Sequence, residues 1–295
     1  MRSHAEKYLA IGRHNNSPLF DDVMDDQDCI HFLQWALPQL HMRWAGFRRV
    51  HQQVCKRLQR RLNELGLPGL AAYQHFLERN PTEWAVLDEC CRITISRFYR
   101  DKAVFAFLGD QVFPYLIQQL QQRQENILRV WCAGCGAGEE PYSLALSWEM
   151  QFKTVFPTLS ISLVGTDINP DTLERAYQAC YPYSSVKNLP SAIRVAAFAE
   201  QGGQYCLAPE YRSAVDFRCQ DLRHESPKEL FHLILCRNLA FTYFDDQLQH
   251  EVAQLLHARL MPGGVLLIGV HEKLPDGGVK FKAWSERLGI YLAET

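Results

Sequence analysis

The chain has no charge excess of either sign, no long apolar run and no disulfide-scaffold cysteine spacing. Its 31 Lys and Arg nearly balance 33 Asp and Glu, leaving a net charge of −2. The whole-protein electrostatic attraction that drives nucleic-acid binding is therefore missing, and no nucleic-acid partner is expected. No apolar stretch approaches the roughly 20 residues of a bilayer-spanning helix, so membrane insertion is not expected either. The opening Met1-Arg-Ser-His-Ala-Glu-Lys7 lacks the apolar core of a secretory signal. These absences together predict a soluble, cytoplasmic protein, read as a monomer.

Cysteine is present but not patterned. Most of the ten lie in apolar segments such as Leu235-Cys236 and Phe217-Arg218-Cys219, where a free thiol packs as a small hydrophobe. Only Cys132-Ala-Gly-Cys135 has CxxC spacing. No second pair or nearby histidine completes a zinc tetrad, so no metal site is expected. Repeats and low-complexity segments are also lacking. What remains is ordinary globular composition, and 295 residues suffice for one large domain or two modest ones.

Texture divides the chain. Residues 1–27 are polar and end in the acidic Asp21-Asp-Val-Met-Asp-Asp26, which predicts a flexible N-terminal segment. Residues 28–120 read as a helical domain with its linker helix. Val54, Leu58, Leu62 and Leu65 recur at helical steps, and Gly66 with Pro68 ends that face. From 121 to 295 strand-like runs alternate with helical ones. Ile127–Trp131, Ile161–Gly165, Ala214–Phe217, His232–Leu235 and Val265–Gly269 are the predicted strands. Such alternation implies an α/β fold, a parallel sheet covered on both faces.

The sharpest local feature is Val130-Trp-Cys-Ala133-Gly134-Cys-Gly136-Ala-Gly138-Glu139-Glu140-Pro141. Alternating glycines between a strand and a helix permit a tight turn and let a ligand approach the backbone. The spacing is neither GxGxxG nor a lysine phosphate loop, and two carboxylates follow where a phosphate would want none. A ligand carrying an amino group fits better. Asp167 ends the next strand, where an acid can bridge ribose hydroxyls; capping the helix that starts at Asn169-Pro170 is the competing reading. Two further strand ends carry Gln220-Asp221-Leu222 and Cys236-Arg237-Asn238. Four polar strand ends converge on one crevice, as ligand sites in open α/β sheets do. A nucleoside ligand with a cationic, amino-bearing tail describes S-adenosylmethionine.

On these residues the chain resembles the CheR-type chemotaxis receptor methyltransferases, which are protein-glutamate O-methyltransferases. The carriers are Ile95-Ser-Arg-Phe-Tyr-Arg100-Asp, Trp131-Cys-Ala-Gly-Cys-Gly-Ala-Gly-Glu-Glu-Pro-Tyr-Ser143, Thr166-Asp-Ile168, Cys236-Arg-Asn238 and Tyr243-Phe-Asp245. Gly269-Val-His-Glu-Lys273 is similar to the family's Gly-x-Ser-Glu segment. The resemblance implies a Rossmann-like, seven-stranded methyltransferase domain preceded by a small all-α domain, with a small β insert over about 181–217. It implies that Thr94, Ser96 and Arg100 line the site, with Ala133 and Gly134 in the donor loop. Glu139 would meet the donor's amino group, Asp167 its ribose, and Asp221 with Leu222 its adenine. Arg237 and Asn238 would close the fourth strand end. Arg100 would orient the substrate carboxylate, because a guanidinium grips two oxygens at once; a surface salt bridge is its alternative.

Some positions depart from the family pattern. Thr94-Ile-Ser96-Arg97 lacks the family's asparagine, Asp221 stands where asparagine is common, and one extra residue separates Asn238 from Tyr243. Thr242 and Tyr243 are both candidates to face the methyl group, and the spacing does not choose between them. Arg49, Lys56 and Arg60 are expected on one side of a helix, facing acidic receptor helices. The hairpin around Gln201-Gly-Gly-Gln-Tyr205 is too short for a receptor-tail tether to be expected. Two other readings stay open: the same donor chemistry on a small molecule or another protein, and a non-catalytic module that binds the donor.

Overall fold

A computed structural model describes residues 24–294. The expectation for the first residues therefore lies mostly outside the described range. Its last part is ordered: Asp25 caps helix α1 (Asp26–Ala36) through its side chain. After a single helical turn at Trp44–Phe47, three longer helices follow, α2 (His51–Leu65), α3 (Leu70–Arg79) and α4 (Glu83–Cys91). Val54, Leu58 and Leu62 bury one face of α2, as their spacing predicts, and Gly66 ends it in a left-handed cap. These helices enclose a core of their own around Leu33, Phe47, Tyr73 and Leu87.

Helix α5 (Lys102–Phe107) runs through a wide turn at Leu108–Val112 into α6 (Phe113–Gln122), and then the sheet begins. Strands β1 (Ile127–Ala133), β2 (Ser160–Asp167), β6 (Val215–Cys219), β7 (Phe231–Cys236) and β8 (Leu260–Ile268) are parallel and match the five predicted runs. Strands β9 (Phe281–Ser285) and β10 (Ile290–Ala293) add an antiparallel edge. The order β6-β2-β1-β7-β8-β10-β9 is seven-stranded, with the chain turning from one side to the other between β1 and β7. That switch opens a crevice beyond the carboxyl ends of these two strands. Helices α7 (Glu139–Gln151), α8 (Pro170–Gln178) and α9 (Asp246–Arg259) cover the faces.

The small sheet β3 (Cys180–Pro182), β5 (Gln204–Leu207) and β4 (Phe198–Gln201) is antiparallel. It ends earlier than the expected 217, because Val215–Cys219 pairs in parallel with β2 instead. The cysteines bring another correction. Cys29 is bonded to Cys55 across α1 and α2, and Cys180 to Cys206 across β3 and β5. Each pair is 26 residues apart, so nothing local announced it. Cys132 and Cys135 are free and buried, and no metal-holding cluster exists among the described residues.

The helical unit docks on the sheet domain through residues 41–47. Arg43 donates its backbone N–H to Tyr243 O and its guanidinium to Phe241 O and Thr242 O. Asp245 N returns a bond to His41 O. Gly46 lies so close to Thr242 O that a β-carbon would collide with it. This seam fixes the loop after β7, and the Phe47 ring packs against the Tyr243 ring, tilted by 57° with centroids 5.0 Å apart.

Candidate active site

The glycine loop is built by positive backbone angles at Gly134 (φ 71°), Gly136 (56°) and Gly138 (87°). It folds over β2, with Gly134 N and Cys135 N both donating to Thr166 O. Asp167 ties down the rest: one oxygen accepts Gly136 N and the other Asn169 N, each at 2.9 Å. The cap of α8 is Asn169, whose side chain accepts from Asp171 N and Thr172 N. The Asp167 carboxylate thus orders the loop and borders the crevice. Burial raises its pKa, with the backbone N–H groups of Asn169 and Gly136 opposing the shift.

Glu139 opens α7 and is only 3% exposed, yet its Oε2 has no hydrogen-bond partner. Burial raises its pKa; backbone amide and the Ser96 hydroxyl partly offset that. A buried carboxylate oxygen left unmatched is costly unless a donor arrives from outside. An alkyl-ammonium group is such a donor. Asp221 is held differently. Burial pushes its carboxyl up, but the Arg223 guanidinium outweighs this and leaves the pKa lowered. Arg223 forks onto Asp221 and onto Asp88 of α4, at 2.8 and 2.7 Å, so an ion bridge runs from the helical unit to this strand end. Leu222 is buried beside it.

Two adjoining cavities make the cleft. The first is walled by Phe47, Asp88 and Arg92 from the helical unit and by Asp167, Asp221, Leu222 and Tyr243 from the sheet domain. The second holds Ser96, Arg100, Gly136, Arg237 and Asn238. Thr94, Gly134 and Asp167 border both. Ala133 borders neither: its side chain is buried in a core layer, so only its backbone can serve a ligand.

Arg100 makes no ion pair among the described residues. Its guanidinium donates to Ile95 O (3.0 Å) and Asn238 Oδ1 (3.1 Å), which orients it without neutralising it. The flanking Tyr99 and Asp101 are left-handed, as is Asn238. Non-glycine residues in this conformation cluster at functional sites. Tyr99 is anchored by Ser143 and Ser147 of α7. Arg237 borders the second cavity but is mostly enclosed. Its side chain, 2% exposed, is an internal strut that donates to Asp101 Oδ2, Glu140 Oε1 and Arg100 O. The next loop separates the two candidates at its end. Thr242 donates its hydroxyl to Glu272 at 2.6 Å, whereas Tyr243 borders the cleft.

A family model described as CheR methyltransferase, SAM binding domain, matches residues 94–290. The chain belongs to the CheR methyltransferase family. A chemotaxis protein methyltransferase of Listeria innocua is 36% identical over 62% of this chain and 66% of its own length. Its namesake from Listeria monocytogenes is 33% identical over 68% of this chain and 75% of its own. A 104.1 kDa protein of Rhodobacter capsulatus is 32% identical over 81% of this chain, which spans only 25% of it. CheR membership gives the domain its S-adenosylmethionine-binding methyltransferase fold.

The basic stretch is less uniform than its composition suggests. Arg49 precedes α2 rather than lying on it, so only Lys56 and Arg60 share an exposed helical side. Arg57 turns inward to the carbonyls of Cys90 and Arg92, and Arg61 forks onto Glu83. Sequence reasoning missed Asp88 and Arg223, and it quoted Glu140 and Glu272 within motifs without giving them a role. Arg223 offered a signal, since it follows Asp221 by two residues; Asp88, far away in the chain, offered none.

Proposed function

We propose that this chain methylates glutamate side chains of a chemoreceptor-like protein, with S-adenosylmethionine as donor. The observations that carry the reading are the unpartnered Glu139 oxygen, buried beside the cleft-lining Glu140 but not itself lining either cavity, and the un-neutralised Arg100 within the second cavity. Glu139 would hold the donor's ammonium, Asp167 its ribose hydroxyls, and Asp221 with Leu222 its adenine. The donor supplies a methyl group already activated by the sulfonium charge. The chain's own task is to align an acceptor oxygen with it and exclude water. Arg100 orients the acceptor carboxylate. That carboxylate is ionised at neutral pH, so no general base is needed. Burial keeps the Tyr243 hydroxyl protonated beyond its ordinary range, against the opposing charge of Arg100, so it can donate to the same carboxylate.

The residues from Asp26 to Gln122 are read as a helical docking domain and those from Ile127 onward as the catalytic domain. Arg49, Lys56 and Arg60, all exposed, would meet acidic receptor helices, which suits electrostatic steering. No described helix is long and apolar enough to cross a membrane. We place the protein in the cytoplasm, where a receptor's signalling end would be accessible. The test is incubation with methyl-labelled donor and receptor-bearing membranes, then mild alkali. Release of volatile methanol identifies a carboxyl ester; label that survives alkali rejects the glutamate assignment. In the same assay Lys56→Glu raises the KM for receptor while leaving kcat unchanged if the docking face is right.

A further inference from the structure

The Gly269–Lys273 segment has no part in the chemistry above, yet it reaches the site from behind. Glu272 is 7% exposed and borders neither half of the cleft. Its Oε2 accepts the backbone N–H of Asn238 (2.8 Å) and of Gly269 (2.5 Å), and its Oε1 accepts the Thr242 hydroxyl (2.6 Å). No cation pairs with it among the described residues. The carboxylate is thus held by donors drawn from both ends of the loop 238–243. One end carries Asn238, left-handed at φ 56°, whose Oδ1 receives Arg100. The other carries Tyr243, adjacent to Thr242. Gly269 completes the arrangement: a β-carbon there would stand 2.7 Å from Glu272 Oε2 and 3.0 Å from Asn238 Oδ1.

We propose that Glu272 is a positioning residue for the acceptor half of the site, acting through Asn238 on Arg100 and through Thr242 on Tyr243. The inference rests on the reading that Arg100 and Tyr243 face the acceptor. Charge-assisted hydrogen bonds give the loop one geometry, and misplacement by about an ångström at a reacting centre costs on the order of 100-fold in rate. The donor half, built on Glu139 and Asp167, is not in contact with Glu272.

Three variants and one structure test this. Glu272→Ala lowers kcat by about 100-fold while the dissociation constant of S-adenosylhomocysteine, read by calorimetry, changes less than about threefold. Glu272→Gln restores most of the rate, because an amide can still accept from the two backbone N–H groups and donate to Thr242. Thr242→Val removes one of the three bonds and falls between them, at about tenfold. If Glu272→Ala fails to fold, Thr242→Val and Glu272→Gln carry the comparison. Equal loss of rate and donor affinity would show a general structural role and overturn the proposal. So would a Glu272→Gln variant as impaired as the alanine, or an alanine variant with undiminished rate. A wild type that methylates no glutamate rejects the proposed function instead. In that case a crystal structure of Glu272→Ala decides: displaced Asn238 and Arg100 support the positioning role, and an unchanged loop rejects it.

Discussion

At the amino-terminal edge of the parallel strands, His232 on β7 is buried with every polar atom matched. Its Nδ1 accepts Arg129 N at 3.0 Å, so the proton sits on Nε2 and is donated to Glu125 at 3.2 Å. At the carboxyl-terminal edge, Glu139, Gln220 and Arg237 each keep a buried polar atom without a partner. Tyr99, Asp101 and Asn238 hold left-handed backbone around the same crevice. Both edges bury ionisable groups, but one resolves them internally and the other leaves them open. Internal satisfaction marks scaffold; the open groups mark where a ligand completes the molecule.

The sharpest way to break this contrast is at Arg100. Arg100→Ala lowers kcat for methyl ester formation by about a thousandfold while weakening donor binding less than tenfold, in initial rates and calorimetry. An equal loss of both would place Arg100 on the donor instead. Glu139→Gln comes next, weakening the donor by about 50-fold, the value of one charge-assisted contact. The same variant makes the ligand-free protein more stable by about 1 kcal/mol in urea unfolding at pH 7. The sign follows from the raised carboxyl pKa. Protonation favours the folded form, so stability is present at low pH and lost as pH rises through the folded value. Donor affinity runs the other way, falling on acidification, and that pH dependence disappears in the glutamine variant.

Arg223→Ala is smaller. It leaves Asp88 and Asp221 without their shared guanidinium, costing about 2 kcal/mol of stability and about fivefold in donor affinity. Asp88→Asn should reproduce the stability loss with less effect on the donor. His232 sharpens the comparison from the scaffold side. Its pKa is lowered, first by burial. Its stabilising contribution is present above the ordinary histidine pKa of about 6.5 and is lost as pH falls toward the folded value, by about 1 kcal/mol. Unfolding at two pH values reads this, and His232→Gln removes the slope without altering donor affinity.

The proposed donor half of the site was legible because it is local. Gly134 to Glu140 stand in one run, and Asp167 ends the adjacent strand, so spacing alone brought them together. The five central strands were legible for the same reason, as short apolar runs. Edge strand β9 shows no clear alternation of buried and exposed residues, and it escaped notice. The supports of the proposed acceptor half were hidden by distance along the chain. Arg100 meets Asn238 across 138 positions, and Arg223 meets Asp88 across 135. Glu272 turns Thr242 away from the cleft, so no count of residues between Asn238 and Tyr243 could have chosen between the two candidates. Arg237 borders the second cavity as a strand-end residue, but its ion pairs with Asp101 and Glu140, which no spacing announced, bury most of its side chain.

The close approach at Gly46 has a consequence for how such a molecule can diversify. Where a helical unit meets its catalytic neighbour through a position that admits no side chain, drift cannot slide the two past one another. The outward surface of the same unit carries no such restriction. If that surface is the docking face proposed above, substitutions accumulating there re-address the enzyme while the contact of Phe47 with Tyr243 stays in place.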